Sequence, residues 1–176
     1  FKMSWDISIF RWLNSWVGIS SFFDWAIIFR AEYLGWVLGI LAIAIFWKRW
    51  RTILEVFIAA LVARFGAVEV IRLFYERSRP FEFLENVHQL IQHSPGGSFP
   101  SGHAAFFFAL ATAVFLHRRW WGVLFFLAAL SIGLGRVAAG VHWPSDILGG
   151  AIVGILTSLL VNFIIGKLKL TDHLNK

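Results

Sequence analysis

Five segments of this chain are apolar for close to the length that a lipid bilayer demands. They run from about Asp24 to Trp47, Thr52 to Tyr75, Ser101 to Leu116, Trp120 to Ala139 and Ser145 to Ile165. In the first, the firmly apolar part is Tyr33–Trp47, behind Arg30 and Glu32, and the third is short. About 20 helical residues cross a hydrocarbon core, and only helices or closed barrels satisfy their backbone groups there. Charged residues make up 15% of the 176-residue chain, against about 25% in soluble domains. The expected fold is all-α: a polytopic membrane helix bundle of five full transmembrane helices, in one domain over residues 1–176, with no linker.

Ahead of these spans, residues 4–17 place Trp5, Ile9, Trp12, Leu13 and Trp16 at helical spacing, with Asp6, Arg11 and Asn14 between them. That pattern predicts an amphipathic helix lying in the interface, or a partially inserted one. The ten tryptophans of the chain suit a membrane–water boundary. Met3 is the expected native start, behind Phe1 and Lys2, and no cleavable signal peptide is expected. The formal net charge of +6 does not imply nucleic acid, because basic residues at the ends of membrane helices follow from topology alone and suit anionic head groups. There is no cysteine, which excludes disulfides and thiolate metal sites.

Topology sorts the loops. Lys48, Arg49 and Arg51 follow the first span, Arg118 and Arg119 the third, and Lys167, Lys169 and Lys176 the last. Counting crossings puts all three groups on one side, which the positive-inside rule makes cytoplasmic. The other side holds residues 76–100 and 140–144 and the N-terminal stretch. The loop 76–100 is long for a helical bundle. Residues 83–92 are expected to form a short surface helix, and Ser94–Gly97 a turn.

Three polar clusters collect on that outer side. The first, Arg72-Leu-Phe-Tyr-Glu-Arg77-Ser-Arg79-Pro80, sets three arginines within eight residues. A guanidinium fork matches phosphate oxygens; snorkelling membrane anchors are the alternative. In the second, Pro100-Ser101-Gly102-His103, Ser101 is a good N-cap, Gly102 admits close approach to the backbone, and His103 falls in the first turn of a helix whose N-terminus attracts anions. Ordinary capping is the alternative. The third runs Gly135-Arg136-Val-Ala-Ala-Gly-Val-His142-Trp-Pro-Ser-Asp146. Residues 142 and 146 are four apart, so on a helical path the carboxylate can hold one ring nitrogen and leave the other free. An interfacial salt bridge is the alternative there.

In order and spacing, Arg72-x6-Arg79-Pro80, Pro100-Ser101-Gly102-His103 and Arg136-x5-His142-x3-Asp146 resemble the three signatures of the type-two phosphatidic acid phosphatase superfamily. The motifs span residues 72–146, and the helix pattern extends the likeness to most of the chain. Two departures stand out. Arg72 occupies a lysine position, and Gly135 a serine position whose hydroxyl helps to hold phosphate.

The resemblance implies a membrane lipid phosphatase working through phosphohistidine, with no metal and no cofactor. His142 would be the nucleophile and Asp146 its orienting carboxylate. His103 would be the general acid and then the base for water. Arg72, Arg79, Arg136, Ser101 and Gly102 would bind the phosphoryl oxygens. In overall layout the chain is similar to the superfamily's bacterial undecaprenyl pyrophosphate phosphatases, which implies a bacterial inner (plasma) membrane and a site facing the extracytoplasmic side. The expected partners are a lipid phosphate or diphosphate and the bilayer itself, and no nucleic acid. Phosphatidylglycerophosphate, phosphatidate and lipid A remain alternative substrates. A lipid phosphotransferase and a non-enzymatic lipid-binding subunit are rival classes.

Four other features carry expectations. Arg64, well inside the second span, is expected to pair with Glu32 or Glu69. Glu69 and Glu76 are both candidates to orient Arg72. Gly150-x3-Gly154 is read as a close helix contact. His88, His93, His117 and His173 are read as surface residues.

Overall fold

The computed structural model describes residues 4–174, with side chains to residue 168; Met3 and Lys176, and the side chains of Lys169 and His173, lie outside the described residues. Among the described residues every regular element is a helix. Helix α1 is Ser4–Asn14. Next, α2 (Ser21–Ile28), a π-helical turn (Phe29–Tyr33) and α3 (Leu34–Phe46) form one continuous helix, as do α4 (Trp50–Leu61), a second π-helical turn (Val62–Ala67) and α5 (Val68–Phe74). The one-turn α6 (Pro80–Phe83), then α7 (Gly102–His117), α8 (Arg119–Ala138) and α9 (Pro144–Leu174) complete the chain.

This is a membrane protein. Ser21–Phe46, Arg119–Ala138 and Pro144–Leu168 are each long and apolar enough to cross a bilayer, and α7 is a shorter apolar helix. Large apolar side chains point away from the bundle, Trp36, Leu73 and Trp120 among them, each at least 75% exposed. In lipid such residues need no cover.

Helix α7 is the axis, packed against α4, α8 and α9. Its 16 residues give a rod of about 24 Å, shorter than a bilayer core of about 30 Å. Burial explains this. Ala104, Ala105, Ala109, Leu110, Ala111 and Val114 are at most 1% exposed on all sides of it. Helix α9 comes close enough to require glycine: a Cβ on Gly150 would lie 2.5 Å from the Ser101 carbonyl oxygen, and one on Gly154 would collide with that of Ala105. The Gly150-x3-Gly154 pair therefore packs α9 on α7 within the chain.

At one end of the bundle the His117 ring lies 5.9 Å from Phe46 and its Nε2 is 3.4 Å from Glu55 Oε2. His117 is therefore a half-buried clamp rather than a surface residue. It gathers the ends of α3 and α7 and the start of α4, and with them Lys48, Arg49, Arg51, Arg118 and Arg119.

One expectation at the opposite end is corrected. Residues 84–92 carry no helix, and the short helix is α6 instead. The stretch spends its backbone on tertiary bonds: Leu90 N–H donates to Ala139 O (3.2 Å), and His88 N–H donates to Asn14 Oδ1 (3.0 Å). Asn86, at φ +58°, also leaves helical geometry. Helix α1 forms within the stretch where its spacing predicts one: Asp6, Phe10 and Asn14 form its buried stripe, while Trp5, Ile9 and Trp12 face outward.

Candidate active site

Each functional cluster of the sequence sits at a helix end on one side of the bundle. His142 lies in the turn between α8 and α9, 1% exposed, and Asp146 lies in the first turn of α9, fully buried. His142 Nδ1 is 3.4 Å from Asp146 Oδ2, and His142 Nε2 is 3.4 Å from Arg79 Nη1. These contacts fix the tautomer. A guanidinium only donates, so Nε2 is the accepting, unprotonated nitrogen, and the proton on Nδ1 faces the carboxylate. Burial, the largest cause, drives the His142 pKa down to about 4, helped by Arg136 and Arg79 and opposed by Asp146. The ring is thus neutral at pH 7, with a lone pair on Nε2.

Asp146 is held from several directions. Trp143 N–H donates to its Oδ2 at 2.8 Å, Ser98 Oγ–H donates to the same oxygen, and Arg77 Nη1 donates to Oδ1 at 2.7 Å. Arg77 is shared: its Nη2 donates to Asp6 Oδ2 at 2.6 Å, and Asp6 also accepts from Ser145 N–H (2.9 Å) and Ser145 Oγ (2.6 Å). Of the three clustered arginines, Arg77 serves carboxylates. Arg79 turns to the His142 side, donating to Val141 O at 2.9 Å. Burial, reinforced by Arg72, pulls the Arg79 pKa below its ordinary value. Arg72 donates to Glu69 Oε1 (3.2 Å) and Pro100 O (3.1 Å), so Glu69 is the acid that orients it. Nε of Arg72, Arg79 and Arg136 is buried with no hydrogen-bond partner among the described residues. Three buried guanidinium edges with unmet donors suit an oxyanion guest.

Ser101 caps α7, its Oγ accepting from Ala104 N–H at 3.4 Å, and its own N–H donates to Asp146 O at 3.0 Å. Gly102 and His103 follow. His103 lines two cavities, one of about 380 Å³ shared with Glu32, His93 and Arg136, and one of about 440 Å³ that is mostly apolar. His93 lies between the His103 cavity and His142, its ring 6.3 Å from that of His142. This overturns the surface reading of His93. Burial and Arg79 hold its pKa below the usual imidazole value. His88 is exposed, as expected.

A Cβ on Gly135 would meet Arg30 Cβ at 3.0 Å and Ala31 N at 3.1 Å, so α8 packs closely on the first π-helical turn there.

A bundle of lipid-facing helices that collects histidines and arginines with unmet Nε donors at one end defines a membrane protein that handles phosphoryl groups. The chain belongs to the PAP2 superfamily, whose family model matches residues 52–169. It is 30% identical over 167 residues to the bacitracin transport permease protein BcrC of Bacillus licheniformis, covering 93% of this chain and 82% of that protein. It is 31% identical to the undecaprenyl-diphosphatase BcrC of Bacillus subtilis, covering 88% of this chain and 81% of that one. The crystal structure of Aquifex aeolicus LpxE superposes with a TM-score of 0.77 at 29% identity, covering 91% of this chain and 96% of the other.

Proposed function

We propose that the protein hydrolyses a lipid phosphate or diphosphate through a phosphohistidine on His142. The substrate it fits best is undecaprenyl diphosphate, converted to undecaprenyl phosphate and inorganic phosphate. The carrying observation is the oriented His142: Nδ1–H toward Asp146, Nε2 lone pair beside Arg79. Nε2 attacks the terminal phosphorus, and the bond from that phosphorus to the leaving oxygen breaks. His103 donates a proton to the leaving group. In the second step His103 takes a proton from water, whose oxygen attacks the phosphohistidine, and inorganic phosphate departs with His142 restored. Arg72, Arg79 and Arg136 stabilise the charge that builds on the equatorial oxygens, and the α7 N-terminus at Ser101 and Gly102 adds its dipole.

Five crossings account for the layout: helices 21–46 and 50–74, then α7, α8 and α9, with α1 docked at the interface. The basic residues around Lys48–Arg51 and Arg118–Arg119 then lie at the cytoplasmic end, and the histidines open to the extracytoplasmic leaflet of a bacterial inner membrane. The diphosphate reading draws support from the named activity of the Bacillus subtilis relative.

The test is phosphate release in detergent, with a chelator present, from undecaprenyl diphosphate, phosphatidylglycerophosphate, phosphatidate and lipid A. The expected result is fastest release from the diphosphate and none by His142→Ala. Equal release by the variant would remove His142 as nucleophile, and no release from any lipid by the parent would favour a binding role.

A further inference from the structure

We propose that Arg64 is a specificity-determining residue that holds the lipid-side phosphate of a diphosphate substrate, an inference that rests on the hydrolytic reading above. Arg64 sits in the second π-helical turn, Val62–Ala67, and Glu32 sits in the first, Phe29–Tyr33. Each such turn inserts a residue into the helical ladder and re-aims side chains, and these turns concentrate at functional sites. Here both charged residues line the same 440 Å³ cavity with Gly102, His103, Trp36 and Phe57.

The Arg64 guanidinium lies directly on the start of α7. A Cβ at Gly102 would fall 2.6 Å from both Arg64 Cδ and Cζ. That places a cation beside His103, the group expected to protonate the leaving oxygen. Among the described residues Arg64 makes one hydrogen bond, from Nη1 to Glu69 Oε1 at 2.7 Å. The pairing expected from the sequence is therefore made with Glu69, and it occupies one of five donors. A charge at this depth solely for structure would be costly, and its default reading is functional.

The two cavities divide the labour. Arg79 and the 380 Å³ cavity that holds Arg136 lie toward His142, where the terminal phosphoryl group must sit. The 440 Å³ cavity is walled by Phe65, Phe106 and Phe107, which suits an alkyl chain. Both cavities share His103, so a diphosphate bridging them puts its scissile oxygen at His103 and its second phosphate beside Arg64. Glu69 Oε1 accepts from both Arg64 (2.7 Å) and Arg72 (3.2 Å) and so sets the spacing of the two cations. Among the described residues Glu32 is the one carboxylate lining either cavity, and Arg64 and Arg136 outnumber it. A monophosphate ester has no group to place at Arg64.

The test compares Arg64→Gln and Arg64→Lys with the parent on a prenyl diphosphate and on the prenyl monophosphate of the same chain. Glutamine keeps a donor for Glu69 and removes the charge. The expected loss in kcat/KM is about tenfold or more on the diphosphate and within about twofold on the monophosphate, with lysine intermediate. Inorganic pyrophosphate and inorganic phosphate, as competitive inhibitors, supply the same comparison without monoester turnover: Arg64→Gln weakens pyrophosphate alone. Equal losses on both substrates and both inhibitors, or no loss on either, would overturn the proposal. His142→Ala runs alongside: its retention of activity would instead remove His142 as the nucleophile, and no phosphate release by the parent would sink the hydrolytic reading.

Discussion

Replacing Asp6 by alanine removes one end of an ion-pair network whose other end, through Arg77, is Asp146. Asp6 is 1% exposed and accepts three hydrogen bonds, from Arg77 Nη2 (2.6 Å), Ser145 Oγ (2.6 Å) and Ser145 N–H (2.9 Å). The Arg77 side chain is 16% exposed and keeps its bond to Asp146 after the change. Breaking a buried ion pair typically costs about 3–5 kcal/mol; with one carboxylate retained, the lower end, about 3 kcal/mol, applies. For a chain of this size that is a fall in melting temperature of roughly 6–12 °C. Asp6→Asn keeps an acceptor for Ser145 and gives about half the loss. The assay is thermal unfolding in one detergent at a fixed scan rate, with the exposed Glu85→Ala as control. Because Asp146 still holds His142, kcat/KM falls by no more than about tenfold. An Asp6→Ala melting point within about 1 °C of the parent would refute the claim that α1 is clamped to the site through Arg77.

Lowering the pH probes His142 in another way. Its folded-state pKa of about 4 lies below the ordinary 6.5, so the unfolded chain binds the proton first. The His142 contribution to stability is intact above pH 6.5 and is lost as pH falls toward 4, by about 3 kcal/mol in total; melting curves at pH 7 and pH 4.5 should show a smaller drop for His142→Gln than for the parent. Gly154→Val forces a side chain onto the Ala105 carbonyl and should cost about 1–3 kcal/mol, whereas Gly166→Ala, with nothing near its Cβ, should be neutral or mildly stabilising in the same melting assay. Arg136→Ala should lower kcat/KM by about a hundredfold on every phosphate ester, with lysine restoring little, since a point charge does not reproduce a fork of donors.

The bundle was legible because lipid imposes one rule: long apolar runs become helices. Ser101 capped its helix where Pro100 and the following apolar run said it would, and Arg64 found one of its two expected acids. What the sequence hid has specific causes. The partnership of Asp6 with Ser145 spans 139 positions, and no local pattern announces it. Helix α1 was read as lying in the membrane interface, a pattern that does not say what its polar residues meet; Asp6 and Asn14 turn into the bundle because lipid offers them no partner. Their spacing of eight on an otherwise apolar stripe was the available signal. The π-helical turns that carry Glu32 and Arg64 have no composition of their own. His93 was passed over because nothing in its neighbourhood marks the loop that folds it against His142.

The most direct measurement is chemical capture of the intermediate. The parent and His142→Gln are mixed with a lipid diphosphate labelled on its terminal phosphorus, quenched in base within one turnover, digested and mapped by mass spectrometry. The expected result is label on the peptide containing His142 in the parent and none in His142→Gln. Turnover by the parent with no label at residue 142, or label on another residue, would contradict it.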